Sequence, residues 1–436
     1  MNWLKNNLHP SLIPLLFSVI IIVIAVFNSR NNRLEKYHNH QVIVSGTVSE
    51  NAIEKDGTLR LVINNLYFNY STKSIKSQVY VMLSSGKGKY ERSDKITLKG
   101  VMKEGFGNYS GSIYRPEIIE HSKPSPPDFA LKIREWFSEN IKNLFGANES
   151  ALALGYMVGD KTLMTEELTR SLRTVGLSHM VVTSGFHLSI LADFIKRLFG
   201  KISRAAITIG TTVLVFVFMA ITGFGASMLR AGLMCLINLY AWYFGRKFHP
   251  GRLLLYVAAI TLLIDSASIM NVGWQLSFAA FAGIIFISPV LTKFLYGGHS
   301  PGFIMSSLIT SISAQLLCLP LGIYYFGMFS AVGIFVSLII TPTIAAAMLL
   351  ILLSGTIFSP IAPMAEMLIR IHLALISWVA EIPWASMNVA PNNPMVLLVF
   401  IPVAVLFIIL KYVTKYDFRP RYALDNSPKY GKIYSC

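Results

Sequence analysis

Charge is scarce in this chain. Only 14% of its 436 residues are Asp, Glu, Lys or Arg, and the acidic ones are the rarer kind, 22 against 38 basic. Cysteine is scarcer still: Cys235 and Cys318 lie inside apolar runs and Cys436 is the last residue. That excludes a disulfide framework and a thiolate metal spacing, and leaves the redox compartment unread. No Gly-x-x-x-x-Gly-Lys-Ser/Thr loop occurs, which excludes a recognisable P-loop motor. Neither Gly-x-Ser-x-Gly nor His-Glu-x-x-His is present, so no local hydrolase signature stands out.

What the chain has in plenty is hydrocarbon. A hydrophobic content of 53% and a mean hydropathy of +0.55, arranged in runs of spanning length, make it an integral membrane protein. The net charge of +16 fits either a positive-inside bias or an anionic cargo. Lys5 precedes the apolar run Leu12–Phe27 and no small-residue cleavage site follows, so an uncleaved first transmembrane helix with its flank is expected within residues 1–37.

The character then changes. Five alternating runs follow: Gln41–Val48, Leu59–Asn64, Gln78–Leu83, Lys95–Val101 and Ser112–Ile119. Turn residues such as Lys55-Asp-Gly57 separate them. Alternation with β-branched and aromatic residues predicts half-buried strands, and five of them fit an OB-like (oligonucleotide-binding type) β-barrel over 38–123. Lys123-Pro-Ser-Pro-Pro127 reads as a stiff linker, and Phe129–Phe145 as an amphipathic helix, either interfacial or packed, within a 124–175 segment.

From Gly176 nine apolar segments are expected, at 176–195, 203–222, 225–244, 251–264, 273–292, 303–326, 330–353, 361–380 and 395–413. With the first helix they make about ten, of which 176–195 and 251–264 are weak enough to be re-entrant. The expected fold class is thus a polytopic α-helical membrane protein with an exported N-terminal barrel: a helical domain over 176–413 and a basic tail over 414–436. Lys196, Arg197, Lys201 and Arg204, then Arg246, Lys247 and Arg252, then Lys293, then Lys411, Lys415, Arg419 and Arg421 occupy alternate loops and the tail. This alternation places those loops and both termini in the cytoplasm and residues 28–175, barrel included, outside a cell membrane. Arg30, Arg33 and Lys36 after the first helix point the other way, and four concordant basic regions outweigh them.

Polar groups inside the apolar segments are the candidate chemistry. Gly176-Leu-Ser-His-Met-Val-Val-Thr-Ser-Gly-Phe-His-Leu188 carries His179, Ser184, Gly185 and His187. Eight residues separate the histidines by about 80° on a continuous helix, a loose match for one shared face. Ser184-Gly185 could break the helix and turn backbone N–H groups toward an anion, whereas histidines bonded to neighbouring helices are the simpler reading. Arg230, mid-segment, either forks onto a phosphate or pairs with Asp193 or Asp265. Gln275, Ser277 and Gln315 either bond between helices or line a route. Tyr324-Tyr-Phe326 reads as an aromatic belt or as stacking surface.

In the barrel, Tyr67, Phe68 and Tyr70 are followed by Lys73 and Lys76, an interleaving of aromatics and cations that suits single-strand binding. Nearby acidic residues nearly balance the barrel's charge, so a structural or protein-docking barrel stays open.

Four blocks, in order, resemble the ComEC competence proteins, inner-membrane channels for DNA uptake in natural transformation. They are the histidine-rich run, Gly225-Ala-Ser-Met-Leu-Arg-Ala-Gly232, Gly273-Trp-Gln-Leu-Ser-Phe-Ala-Ala280, and Gln315-Leu-Leu-Cys-Leu-Pro-Leu-Gly-Ile-Tyr-Tyr-Phe-Gly327. The resemblance covers residues from about 40 to about 350. It implies a transport channel rather than an enzyme. The implied path for single-stranded DNA runs by His179, Ser184, Gly185, His187, Arg230, Gln275, Ser277 and Gln315, and Tyr67, Phe68, Tyr70, Lys73 and Lys76 receive DNA on the barrel.

The resemblance also implies an outer DNA receptor and a cytosolic ATP-driven translocase as partners, beside the bilayer itself. Many family members carry a C-terminal metallo-β-lactamase-like domain. This sequence reads as a short form without it, so a separate nuclease is expected and no cofactor or metal is. A homo-oligomer is compatible with the sequence. The rival readings are an intramembrane hydrolase or metalloenzyme built on Ser184, His179, His187 and Asp160, and a small-solute transporter, for which no internal repeat is found.

Overall fold

The structure is a computed structural model. It describes residues 18–26, 34–55, 57–69, 74–75, 77–84, 90–105, 109–124, 128–178, 185–199, 203–246, 249–297, 299, 301–330, 332–388, 398 and 400–415. The chain forms two compact units. One comprises Met1–Trp136, Ala220–Ala226 and Ala259–Trp274; the other comprises Phe137–Met219, Ser227–Ala258 and Gln275–Cys436.

In the first unit the alternating runs become β1 (Gln41–Val48), β2 (Ile53–Lys55), β3 (Thr58–Phe68), β4 (Val79–Ser84), β5 (Lys95–Glu104), β6 (Gly111–Tyr114) and β7 (Glu117–Ser122). Five of them close a ring in the order β1-β3-β4-β6-β5 and back to β1, antiparallel except between β4 and β6. This is the closed five-stranded barrel that the alternation predicts. Val44, Ile63, Leu66, Val81, Leu98, Met102 and Ile113 fill its interior, and Leu34 adds to one end.

Two details depart from simple alternation. The fifth expected run is two strands, because Arg115 takes a left-handed φ of 49° and Pro116 brings no N–H to the ladder. In β3 the inward residues run Leu61, Ile63, then Leu66, Phe68. Asn65, at φ 50°, inserts an extra residue and the β1–β3 register shifts there. The bulge swaps the inward and outward sets of a strand whose side-chain period is two. Tyr67 therefore faces out.

The helices are α1 (Phe129–Leu144), α2 (Ala147–Val158), α3 (Glu166–Thr174), α4 (Gly185–Phe199), α5 (Arg204–Thr222), α6 (Ala226–Tyr243), α7 (Pro250–Ile264), α8 (Val272–Tyr296), α9 (Phe303–Phe326), α10 (Gly333–Thr356), α11 (Ala362–Ala380) and α12 (Phe400–Thr414). From α4 onward they match the nine expected segments one for one. Of the roughly ten apolar segments expected, five among the described residues are helices long and apolar enough to cross a membrane, namely α5, α8, the Met305–Phe326 part of α9, the Phe335–Thr356 part of α10, and Ser359–Ala380. At 15 residues, α7 reaches about 22 Å, short of a hydrocarbon core about 30 Å thick.

Within the 124–175 segment α1 buries Leu131, Phe137 and Ile141 and exposes Phe129, Ile133 and Trp136. The following α2 is more than a linker. Every residue from Ser150 to Val158 is buried, and the helix packs against α10 and α11. Gly159, at φ 70°, ends it with its N–H on the carbonyls of Leu154 and Gly155, a left-handed stop that suits glycine. In the helical unit a short ladder also pairs β8 (Met328–Ser330) with β9 (Ser386–Asn388).

Candidate functional site

The candidate site in the helical unit is built around Arg230, 3% exposed on α6. An apolar helix face ordinarily answers such a charge with a carboxylate. Among the residues whose side chains are described Arg230 has none, and the Asp193 side chain lies outside them: Nε lacks a hydrogen-bond partner and Nη1 reaches the Met234 sulfur at 3.9 Å. Asp265 is committed elsewhere, accepting from the Ala267 N–H and the Ser268 hydroxyl as the cap of a short 3-10 turn.

The guanidinium instead lies 4.3 Å from the Phe281 ring centroid and 5.8 Å from that of Phe278, both on α8. Cation–π attraction offsets part of the cost of burying it. On another side stands Gly185, the first residue of α4; a Cβ there would meet the Ala231 Cβ at 2.8 Å and Arg230 Nη2 at 3.3 Å. The missing side chain lets the α4 backbone approach the guanidinium.

Polar bonds tie the surrounding helices together. Ser227 on α6, one turn from Arg230, meets Ser277 on α8 at 3.0 Å between hydroxyl oxygens. Tyr325 on α9 donates to Gln275 Oε1 at 2.8 Å, and the Cys318 thiol donates to the Leu276 carbonyl at 3.3 Å. Gln315 is half-buried on α9, three residues before Cys318. Gly283 opens a π-helical turn, Gly283–Ile287, in α8, and a Cβ there would overlap the Ser313 carbonyl of α9. Two backbones therefore touch at the one place where α8 departs from α-helical geometry.

Of the residues chosen from sequence, the structure gathers Gly185 and Arg230, with Ser277 and Gln275 on the helix that supplies the phenylalanines. His187 is fully buried but belongs to another cluster, its ring centroid 6.4 Å from that of Tyr156. The Tyr156 hydroxyl lies 3.4 Å from His372 Nδ1, and His372 Nε2 lies 2.8 Å from Thr343 Oγ1. Sequence reasoning missed Tyr156, Thr343, His372, Phe278 and Phe281. A histidine inside an apolar segment was a visible signal at position 372, as it was at 187. His179 and Ser184 lie outside the described residues.

On the barrel the placement corrects one choice. Phe68 is 2% exposed and stacks on Tyr37 at 4.1 Å, so no base can reach it. Tyr67 is exposed, while Tyr70, Lys73 and Lys76 lie outside the described residues. A different aromatic surface appears on β3, β4, β5 and β6. Tyr80 meets Tyr109 at 5.3 Å, Lys103 sits 5.5 Å over the exposed Tyr114 ring, and Arg60 lies opposite Met82 in the β3–β4 register. Burial, and after it the Glu50 carboxylate, keeps the Tyr109 phenol above its ordinary pKa, so that ring stays neutral.

Residues 156–414, more than half of the chain, match the model of the competence protein family. The chain belongs to that family. It is similar to ComE operon protein 3 of Bacillus subtilis (strain 168), at 24% identity over 337 residues, covering 72% of this chain and 42% of that protein. It is also similar to competence protein ComA of Neisseria gonorrhoeae, at 26% identity over 256 residues, covering 56% of this chain and 36% of that protein. The chain thus spans about two-fifths of the length of these competence relatives. No solved structure matches it. The matched stretch begins at Tyr156 and takes in Gly185, Arg230, the α8 phenylalanines and His372.

Proposed function

We propose that this protein is a membrane channel component that passes single-stranded DNA inward during competence, with the barrel outside receiving the strand. The observation that carries the reading is Arg230: a buried guanidinium with no carboxylate partner among the described side chains, close to the α4 backbone at Gly185 and to two aromatic rings. A phosphodiester satisfies the charge, and the rings offer a base a flat surface. Gln275, Ser277 and Gln315 on the neighbouring helices supply uncharged hydrogen-bonding groups. The aromatic and cationic face of β3, β4, β5 and β6 is the receiving surface, because stacking with flanking cations suits sequence-tolerant binding of a single strand.

The helices and the barrel in this chain carry no P-loop sequence, so directional import draws on a cytosolic ATP-driven translocase, with an outer receptor delivering the DNA. The basic loops and tail face the cytoplasm in this arrangement.

The test is a clean deletion in the source organism, complemented by the parent gene or by Arg230→Met, scored for internalised labelled DNA and for transformants. Loss on deletion, restoration by the parent and failure of Arg230→Met at equal protein level are the expected results. Normal internalisation in the deletion strain sinks the proposal.

A further inference from the structure

Arg92 lies in the loop between β4 and β5, 7% exposed, and its hydrogen bonds join three segments far apart in sequence. Its backbone N–H donates to Asn51 Oδ1 at 2.8 Å, fixing the loop to the one after β1. Nε and Nη2 fork onto Asp128 Oδ2 at 3.2 and 3.0 Å, and the Ser93 hydroxyl donates to the same oxygen at 2.8 Å. The other carboxylate oxygen of Asp128 accepts from the Leu131 N–H at 2.9 Å, capping α1. Nη1 donates to the carbonyls of Ala220 and Ile221, at 3.0 and 3.1 Å.

Those two carbonyls lie in the last turn of α5, where a helix has acceptors left over and a cation is favoured. The next residues, Gly223 and Phe224, take positive φ of 94° and 56°, and a Cβ on Gly223 would come within 3.3 Å of Arg92 Nη1. This turn leads directly into α6, whose first turns carry Ser227 and Arg230.

We propose that Arg92 is a positioning residue: it fixes the barrel to the α5–α6 turn so that a strand leaving the barrel meets the entrance that α6 frames. The functional half of this inference rests on the DNA-uptake reading; the mechanical half does not. Only a planar fork with several N–H groups can serve a carboxylate and two carbonyls at once, so lysine is a poor substitute.

The experiment uses the full-length protein in lipid nanodiscs, native cysteines replaced, with spin labels at Glu104→Cys on β5 and Phe224→Cys in the turn. The parent should give a narrow distance distribution, and Arg92→Ala and Arg92→Lys should broaden it. In cells, both variants should lower DNA internalisation by about tenfold or more, the scale at which small misplacements act, while binding of a fluorescent single strand to the purified full-length protein stays unchanged. Asp128→Asn keeps a helix cap and removes the charge, so it should fall between parent and Arg92→Ala.

An unchanged distance distribution in Arg92→Lys overturns the proposal, as does unchanged internalisation. Equal loss of strand binding and internalisation in Arg92→Lys also overturns it, since that outcome marks a merely structural residue. A deletion strain that takes up DNA normally would remove the DNA reading alone, and the spin-label distances would still decide the joint.

Discussion

The barrel and the helical unit dispose of the same residue types in opposite ways. In the barrel Val44, Ile63 and Leu98 turn inward while Lys95, Lys99 and Lys103 turn out, the arrangement water imposes. Among the helices Ile209, Phe335 and Trp378 are exposed, while Arg230, His372, Thr211 and Ser313 are buried. A hydrocarbon surrounding removes the reward for hiding apolar side chains and leaves polar ones to find partners among neighbouring helices. In the barrel, then, the interior maintains the fold and candidate chemistry lies on the outer face. In the helical unit the candidate chemistry lies in the interior.

Substitutions can break that contrast. The largest effect is expected for Arg230→Met: DNA internalisation should fall about a hundredfold or more, as when a buried charge loses its contact. The midpoint of thermal unfolding should stay level or rise, because a costly buried charge is gone. A lower midpoint with uptake retained would make Arg230 a structural pin. Phe68→Ala should cost about 3–5 kcal/mol in pulse-proteolysis measurements of barrel stability, whereas Tyr67→Ala, one residue away and outward, should stay within about 0.5 kcal/mol. Equal costs would refute the phase change at Asn65.

A smaller effect concerns pH. Burial works against ionisation of Asp128, but the Leu131 N–H, the Ser93 hydroxyl and the Arg92 guanidinium outweigh it and hold its pKa below the ordinary value. A depressed carboxylate pKa contributes stability that is complete above the ordinary range, about pH 4, and is lost as pH falls through the lowered folded value. Asp128→Asn should flatten the unfolding profile in that acid window and nowhere else. The smallest effect is expected at Arg370, an exposed residue bridging Glu149 and Glu366. Arg370→Ala should leave the unfolding midpoint within experimental scatter, as exposed pairs generally do.

Much of the architecture is written locally. Period-two alternation located the barrel strands, β1 to the residue, and hydropathy located every helix from α4 onward. The split at Arg115-Pro116 was missed by the reading of Ser112–Ile119 as one run, although Pro116 was a visible breaker. The bulge at Asn65 was not legible, because asparagine occupies many conformations and its left-handed φ is set by pairing with β1. That is why Phe68 looked like a binding residue. The 251–264 run, read as weak enough to be re-entrant, is α7, a helix of only four turns. In α2 the sequence Ser150-Ala-Leu-Ala-Leu-Gly-Tyr156 shows no one-sided stripe, and burial on all sides follows from its neighbours. The Tyr156–His372 contact joins residues 216 positions apart, beyond the reach of any periodicity.

The π-turn at Gly283 gives α8 one residue more than a regular helix of the same path would need. Each residue of an α-helix advances about 100° and 1.5 Å, so the surplus offsets everything after it by that amount. Phe278 and Phe281 before the turn and Val290 after it therefore follow two separate angular frames, each suited to its own neighbours. A heptad drawn straight through Gly283 misassigns the downstream face. Removing a single residue there would bring both halves into one frame and swing the downstream side chains about a quarter-turn from the partners they now meet.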